Sequence, residues 1–193
     1  GRHGRLQLEL ALLVAERSAR ALAAIHAAGL IHGDVRPGTI HVTRSGDVKL
    51  MDLGIAAMRR RIIGTEAVSR AHHAPELEPD DPPTASADIY ALGCTLFELL
   101  TGRLPYTATD AAALVAAHRH DPIPLASELR GELTSECDEL LHGMLAKRPE
   151  WRFTDVDELL VDVNRVREAG GTPGPQARPV PAQAPGRPAP HRA

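Results

Sequence analysis

Apolar side chains recur at helical spacing through residues 7–28. Leu8, Leu12, Ala15, Ala19, Leu22 and Ile25 fall on one face, and Gly29 follows as a stop. Two short runs, Thr39–Thr43 and Val48–Met51, then read as strands, with Ser45-Gly46-Asp47 as the turn of a hairpin between them. From about Asp52 to Pro83 no period is sustained, which predicts a loop. Residues 86–101, SADIYALGCTLFELLT, are apolar on nearly every face, with only Asp88 and Glu98 charged. A helix that is hydrophobic all round is a buried central helix, and Cys94 is expected in its core. Amphipathic helices are expected near 109–119, 135–146 and 155–168, the last opening on a capping box, Thr154-Asp155-Val156-Asp157. The pattern predicts a mainly α fold of about five helices with one small β-hairpin.

The composition limits the core and the partners. Aromatic residues make up only 3% of the chain, so its core is built from Leu, Val, Ile and Ala. Residues 173–193 hold seven of the sixteen prolines and three arginines, with no acid. Such a stretch cannot bury enough surface to fold, so a folded domain over residues 1–170 and a disordered Pro-rich tail or linker over 171–193 are expected. The net charge is −3, and residues 1–172 carry −6. Nothing in that balance recommends nucleic acid or an anionic membrane as a partner. No run is long enough to span a bilayer, and two cysteines, Cys94 and Cys137, are too few for a disulfide scaffold. These features imply a cytoplasmic setting. The chain opens on Gly1 rather than Met, as a fragment would.

The chemistry is concentrated between the first helix and the loop. The segment Ile31-His32-Gly33-Asp34-Val35-Arg36-Pro37-Gly38-Thr39-Ile40 precedes the hairpin, and Asp52-Leu53-Gly54 follows it. Two acids at the ends of a hairpin can converge on one pocket. One then accepts a proton from an attacking hydroxyl while the other holds a metal on a phosphate, and Arg36 can neutralise phosphate charge. Taken singly, an Asp beside a Gly is more often a turn cap.

Four further motifs come in order: Ala74-Pro75-Glu76, Asp88-Ile89-Tyr90-Ala91-Leu92-Gly93, Leu100-Thr101-Gly102-Arg103-Leu104-Pro105-Tyr106 and Lys147-Arg148-Pro149-Glu150-Trp151-Arg152. Over residues 7–168 the set resembles the C-terminal lobe of a eukaryotic-type protein kinase. His118–Pro124 and the Lys147–Val166 block are most similar to actinobacterial serine/threonine kinases. The resemblance implies the helical lobe of an α+β fold, with ATP and Mg²⁺ (or Mn²⁺) as cofactors and a protein Ser/Thr hydroxyl as acceptor. It implies that Asp34 is the catalytic base and Arg36 the contact to the γ-phosphate. Asp52 and Thr39 would hold metal, and together with His41 they would line the nucleotide site. His32 and Leu53 would stack behind that site, with Gly54 following. Asp88 would hold the catalytic loop, and Glu76 would pair with Arg152. Residues 55–73 would receive the protein substrate, with Ser69 touching the base. The run Arg59-Arg60-Arg61 and His72-His73 would lie in that segment, and Trp151 would pack in the core beside Arg152.

Three positions depart from the kinase pattern: Gly33 in place of an arginine, Thr39 in place of an asparagine and His41 in place of an apolar residue. The glycine-rich loop, strand lysine and helix glutamate of an N-terminal lobe do not occur before the first helix. Transfer is therefore expected only when such a lobe completes the chain. A pseudokinase that binds partners without phosphotransfer is the alternative reading. A small-molecule phosphotransferase sharing His-Gly-Asp is a third, opposed by Ala74-Pro75-Glu76 and Arg152.

Overall fold

The computed structural model of the protein describes residues 4–53, 70–78, 81–154 and 156–170. Gly54, the arginine run, Ser69, Asp155 of the expected cap and the Pro-rich tail lie outside the described residues.

Helix α1 spans Leu8–Ala27 and buries Leu12, Ala15, Ala19 and Leu22. It ends as the sequence predicts. Gly29 takes φ +72°, its N–H reaches His26 O at 2.9 Å, and Leu30 N–H reaches Ile25 O at 3.1 Å. This pair of bonds is a Schellman stop, and it fits a glycine because the left-handed conformation costs a side-chain-bearing residue more. The hairpin pairs β1 (Ile40–Val42) antiparallel to β2 (Val48–Leu50), with His41 opposite Lys49.

Helix α2, Ala85–Thr101, is the central element. The Thr84 hydroxyl caps its start by accepting Ala87 N–H at 3.1 Å, and Gly102 at φ +75° ends it. It buries residues on every side, Leu92, Leu96, Phe97 and Leu100 among them. Helices α3 (Ala111–His120), α5 (Ser135–Met144) and α6 (Val156–Gly170) follow the amphipathic pattern. A one-turn helix, α4 (Ala126–Leu129), was not expected, because four residues cannot display a helical period. Helix α2 packs closely on α5 at Gly93, where a Cβ would fall 2.8 Å from that of Met144.

The core is aliphatic, as a chain poor in aromatics requires. Both cysteines are buried in it, where loss of solvation pushes the Cys94 thiol up and Cys137 up to about 12. Neither is a nucleophile at neutral pH. Trp151 corrects an expectation. It is 46% exposed, with the Arg148 guanidinium stacked 4.8 Å from its ring, so it is a surface residue. No helix among the described residues is long and apolar enough to cross a membrane.

Candidate active site

The site begins with Asp88, in the first turn of α2 and 1% exposed. A buried carboxylate needs partners for its lone pairs. Asp88 Oδ2 accepts His32 N–H at 3.0 Å and His26 Nε2–H at 2.8 Å, and Oδ1 accepts Gly33 N–H at 2.8 Å. The central helix thereby grips the loop by two consecutive amides, one residue before Asp34. Gly33 lies at φ +76°, so the departure from arginine places a glycine where the backbone is left-handed. His26 was missed in the sequence. As one of ten histidines at a helix end it carried no distinguishing pattern.

His32 links the loop to the far end of the hairpin. Its Nδ1 accepts Asp34 N–H at 3.2 Å, so the proton is on Nε2, which donates to Met51 O at 2.9 Å. One buried ring thus sets the spacing between Asp34 and the residue before Asp52. Leu53 is 44% exposed, so one side of its expected stack with His32 is open to solvent.

Between Asp34 and the hairpin the chain makes a tight turn, Pro37–Thr39. Arg36 folds back so that its Nε–H donates to Asp34 Oδ1 at 3.0 Å. Thr39 is 1% exposed, and its hydroxyl is committed within the loop. It lies 2.7 Å from Asp34 O and 3.0 Å from Arg36 O as donor, and it accepts Arg36 N–H at 3.2 Å. These bonds tie the turn around a buried hydroxyl. Asp52 is exposed at the end of β2, with φ +66°. His41 is also exposed, beside Lys49 on the hairpin. Among the described residues no three His, Cys, Asp or Glu side chains cluster to hold a metal. Of the residues the resemblance assigns to an ion, Asp52 offers an exposed carboxylate, a donor type that fits Mg²⁺.

A small cleft opens beside Asp34, lined also by Gly33, His72, His73, Pro83 and Asp88. Ala74 and Leu77 also line one wall of it, and Arg152 fixes Glu76 between them. Arg152 Nη1–H and Nη2–H donate to Glu76 Oε1 and Oε2 at 2.7 and 2.6 Å. Its remaining donors reach Ala146 O, Ser86 O and Lys147 O at 2.8, 3.0 and 3.2 Å. The guanidinium is 4% exposed and lies 4.8 Å over the Tyr90 ring. Arg119 adds a second tie the sequence did not reveal, from Nε–H to Pro75 O at 3.0 Å. His72 Nε2–H donates to Glu98 Oε2 at 3.1 Å, anchoring the wall to α2.

Beneath this wall lies a buried polar network. Tyr90 OH donates to His118 Nδ1 at 2.8 Å, and Lys147 Nζ donates to Tyr106 OH at 2.8 Å and His118 O at 2.6 Å. Burial lowers Lys147 to about 8. Burial, and then the Lys147 charge, lower His118 to about 3, so it is neutral at physiological pH and accepts the phenol proton.

A helical lobe whose central helix grips an Asp-bearing loop, with an Ala-Pro-Glu segment locked by a distant arginine, defines the class: the helical lobe of the protein kinase fold. The profile of the protein kinase domain matches residues 2–163, and the chain belongs to that family. It is 33% identical over 187 residues to a serine/threonine-protein kinase of Corynebacterium efficiens, drp72, covering 95% of this chain and 35% of that protein. It is 38% identical over 162 residues to the serine/threonine-protein kinase PknH of Mycobacterium tuberculosis, covering 82% of this chain and 26% of the relative. To PknA of Corynebacterium glutamicum the identity is 32% over 187 residues, 95% of this chain and 39% of that one. The chain thus spans well under half the length of these relatives.

Proposed function

We propose that the chain is the catalytic lobe of a serine/threonine protein kinase, which transfers the γ-phosphate of ATP to a protein hydroxyl when completed by an N-terminal lobe. The observation that carries this reading is the grip of Asp88 on His32 and Gly33, which presents Asp34 at the lip of the cleft. In this reading the Asp34 carboxylate orients the acceptor hydroxyl and takes its proton as the oxygen attacks phosphorus. With its Nε–H kept on Asp34 Oδ1, Arg36 turns its terminal nitrogens to the transferring phosphoryl group and offsets its charge. Asp52 holds Mg²⁺, which when bound neutralises phosphate charge. Thr39, which ties the turn, is the second position of the metal site beside Asp52. The cleft beside His72 and His73 receives the protein substrate. The domain occupies residues 1–170, with 171–193 as a Pro-rich tail or linker.

The commitment of the Thr39 hydroxyl also favours the second reading, a pseudokinase that binds partners without transfer. Phosphotransfer by the full-length protein separates the two: Asp34→Asn abolishes it in the first reading, and there is none to abolish in the second.

A further inference from the structure

Position 38 is a glycine for a reason of space. The left-handed glycines are Gly29, Gly33, Gly46 and Gly102, so the backbone at Gly38 makes no demand that another residue could not meet. A Cβ placed there would lie 2.3 Å from Arg36 Nη1 and 3.3 Å from Cζ. The guanidinium therefore occupies the volume that a side chain would fill. From this seat Arg36 Nε–H donates to Asp34 Oδ1 at 3.0 Å. The backbone around the seat is fixed separately, by the Thr39 hydroxyl and by Thr39 N–H to Arg36 O at 3.0 Å. The three atoms nearest a new methyl group belong to the mobile end of a long side chain, the Arg36 guanidinium. The methyl would displace the guanidinium and leave the turn in place.

We propose that Gly38 is a positioning residue: by lacking a side chain it seats the Arg36 guanidinium against Asp34, fixing the carboxylate so that its second oxygen faces the acceptor hydroxyl. The seat is a property of the loop. Its service to an acceptor hydroxyl rests on the kinase reading.

The test follows hydrogen exchange of the Arg36 side-chain Nε–H by NMR in the 193-residue chain, for wild type, Gly38→Ala and Asp34→Asn. A charge-assisted hydrogen bond between partly exposed groups protects by roughly tenfold. Gly38→Ala is expected to lose that protection as fully as Asp34→Asn does, while the backbone amides of Arg36 and Thr39 keep theirs. Unchanged Nε–H protection in Gly38→Ala overturns the proposal. Loss of the two backbone amides also overturns it, by showing that Gly38 serves the turn. In the full-length protein, Gly38→Ala is expected to lower kcat about tenfold at unchanged KM for the protein substrate. In an Arg36→Lys background, which has no guanidinium to displace, Gly38→Ala is expected to cost less than twofold. An equal loss in both backgrounds overturns the positioning role. Absence of transfer in the wild type, with the Nε–H result intact, overturns the kinase reading and leaves the seat standing.

Discussion

The carboxylate of Asp88 accepts the backbone N–H of Gly33 at 2.8 Å, at the residue where the loop turns left-handed. The same side chain holds His32 N–H and His26. Three donors converge on one buried acid, so α2 fixes the start of the loop. Asp88→Asn turns one acceptor oxygen into a donor facing a donor. It is expected to cost about 2–4 kcal/mol, read as a lower midpoint in urea unfolding. A change within 0.5 kcal/mol would show that the three bonds do not support the loop.

Gly33 has φ +76°, a conformation that costs a residue with a side chain about 1–2 kcal/mol. Restoring the arginine of the kinase pattern, Gly33→Arg, is therefore expected to lower stability by about that amount. Thermal unfolding of the two proteins checks it, and a stabilised variant would contradict the geometry.

The Glu76–Arg152 pair is bidentate and its guanidinium is buried. Removing one partner leaves the other charge unpaired, at a cost of about 3–5 kcal/mol. Glu76→Ala is expected to lose stability on that scale and to raise proteolysis of the wall near Ala74. An equal cost for Arg119→Ala would mean that the tie at Pro75 carries as much as the ion pair.

Thr39→Val keeps the shape of the side chain and removes its hydroxyl, leaving the bond from Arg36 N–H unmade in a buried turn. The expected loss is about 1–3 kcal/mol, with Thr39→Ser close to wild type. Equal stability of all three proteins would free the hydroxyl for the metal role that the resemblance implies.

His118 binds a proton less readily when folded, at about 3 against an ordinary 6.5. The unfolded chain therefore takes up the proton first as pH falls. Stability from this group is complete above about 6.5 and is lost progressively toward 3. From pH 7 to pH 5 the loss is about 2 kcal/mol. Unfolding midpoints measured across that range are expected to fall more steeply for wild type than for His118→Gln. Parallel slopes would mean that other groups dominate the acid limb.

Much of this was legible in the sequence because the signals are local. Helix α1 and its Gly29 stop, the hairpin and the all-round apolar α2 each show their period or turn residue within a short window. The motif order placed Asp34, Asp88, Glu76 and Arg152. Contacts set by tertiary packing were not legible. His26 and Arg119 act across 62 and 44 residues and belong to no local pattern. The motif shows the position of Thr39 and not its environment. Only the fold shows its hydroxyl turned into the loop. Trp151 was placed in the core on residue type, whereas Arg148 holds it at the surface.

In the proposed function Asp34 serves as the base of a phosphotransfer site held by Asp88. The direct measurement is transfer of phosphate from ATP to Ser/Thr of a protein substrate by the full-length protein, wild type against Asp34→Asn, with folding of both verified by thermal unfolding. A loss in kcat of at least about a hundredfold is expected, the scale of a positioned general base, with the substitution tolerated structurally. Transfer by Asp34→Asn at the wild-type rate would contradict it.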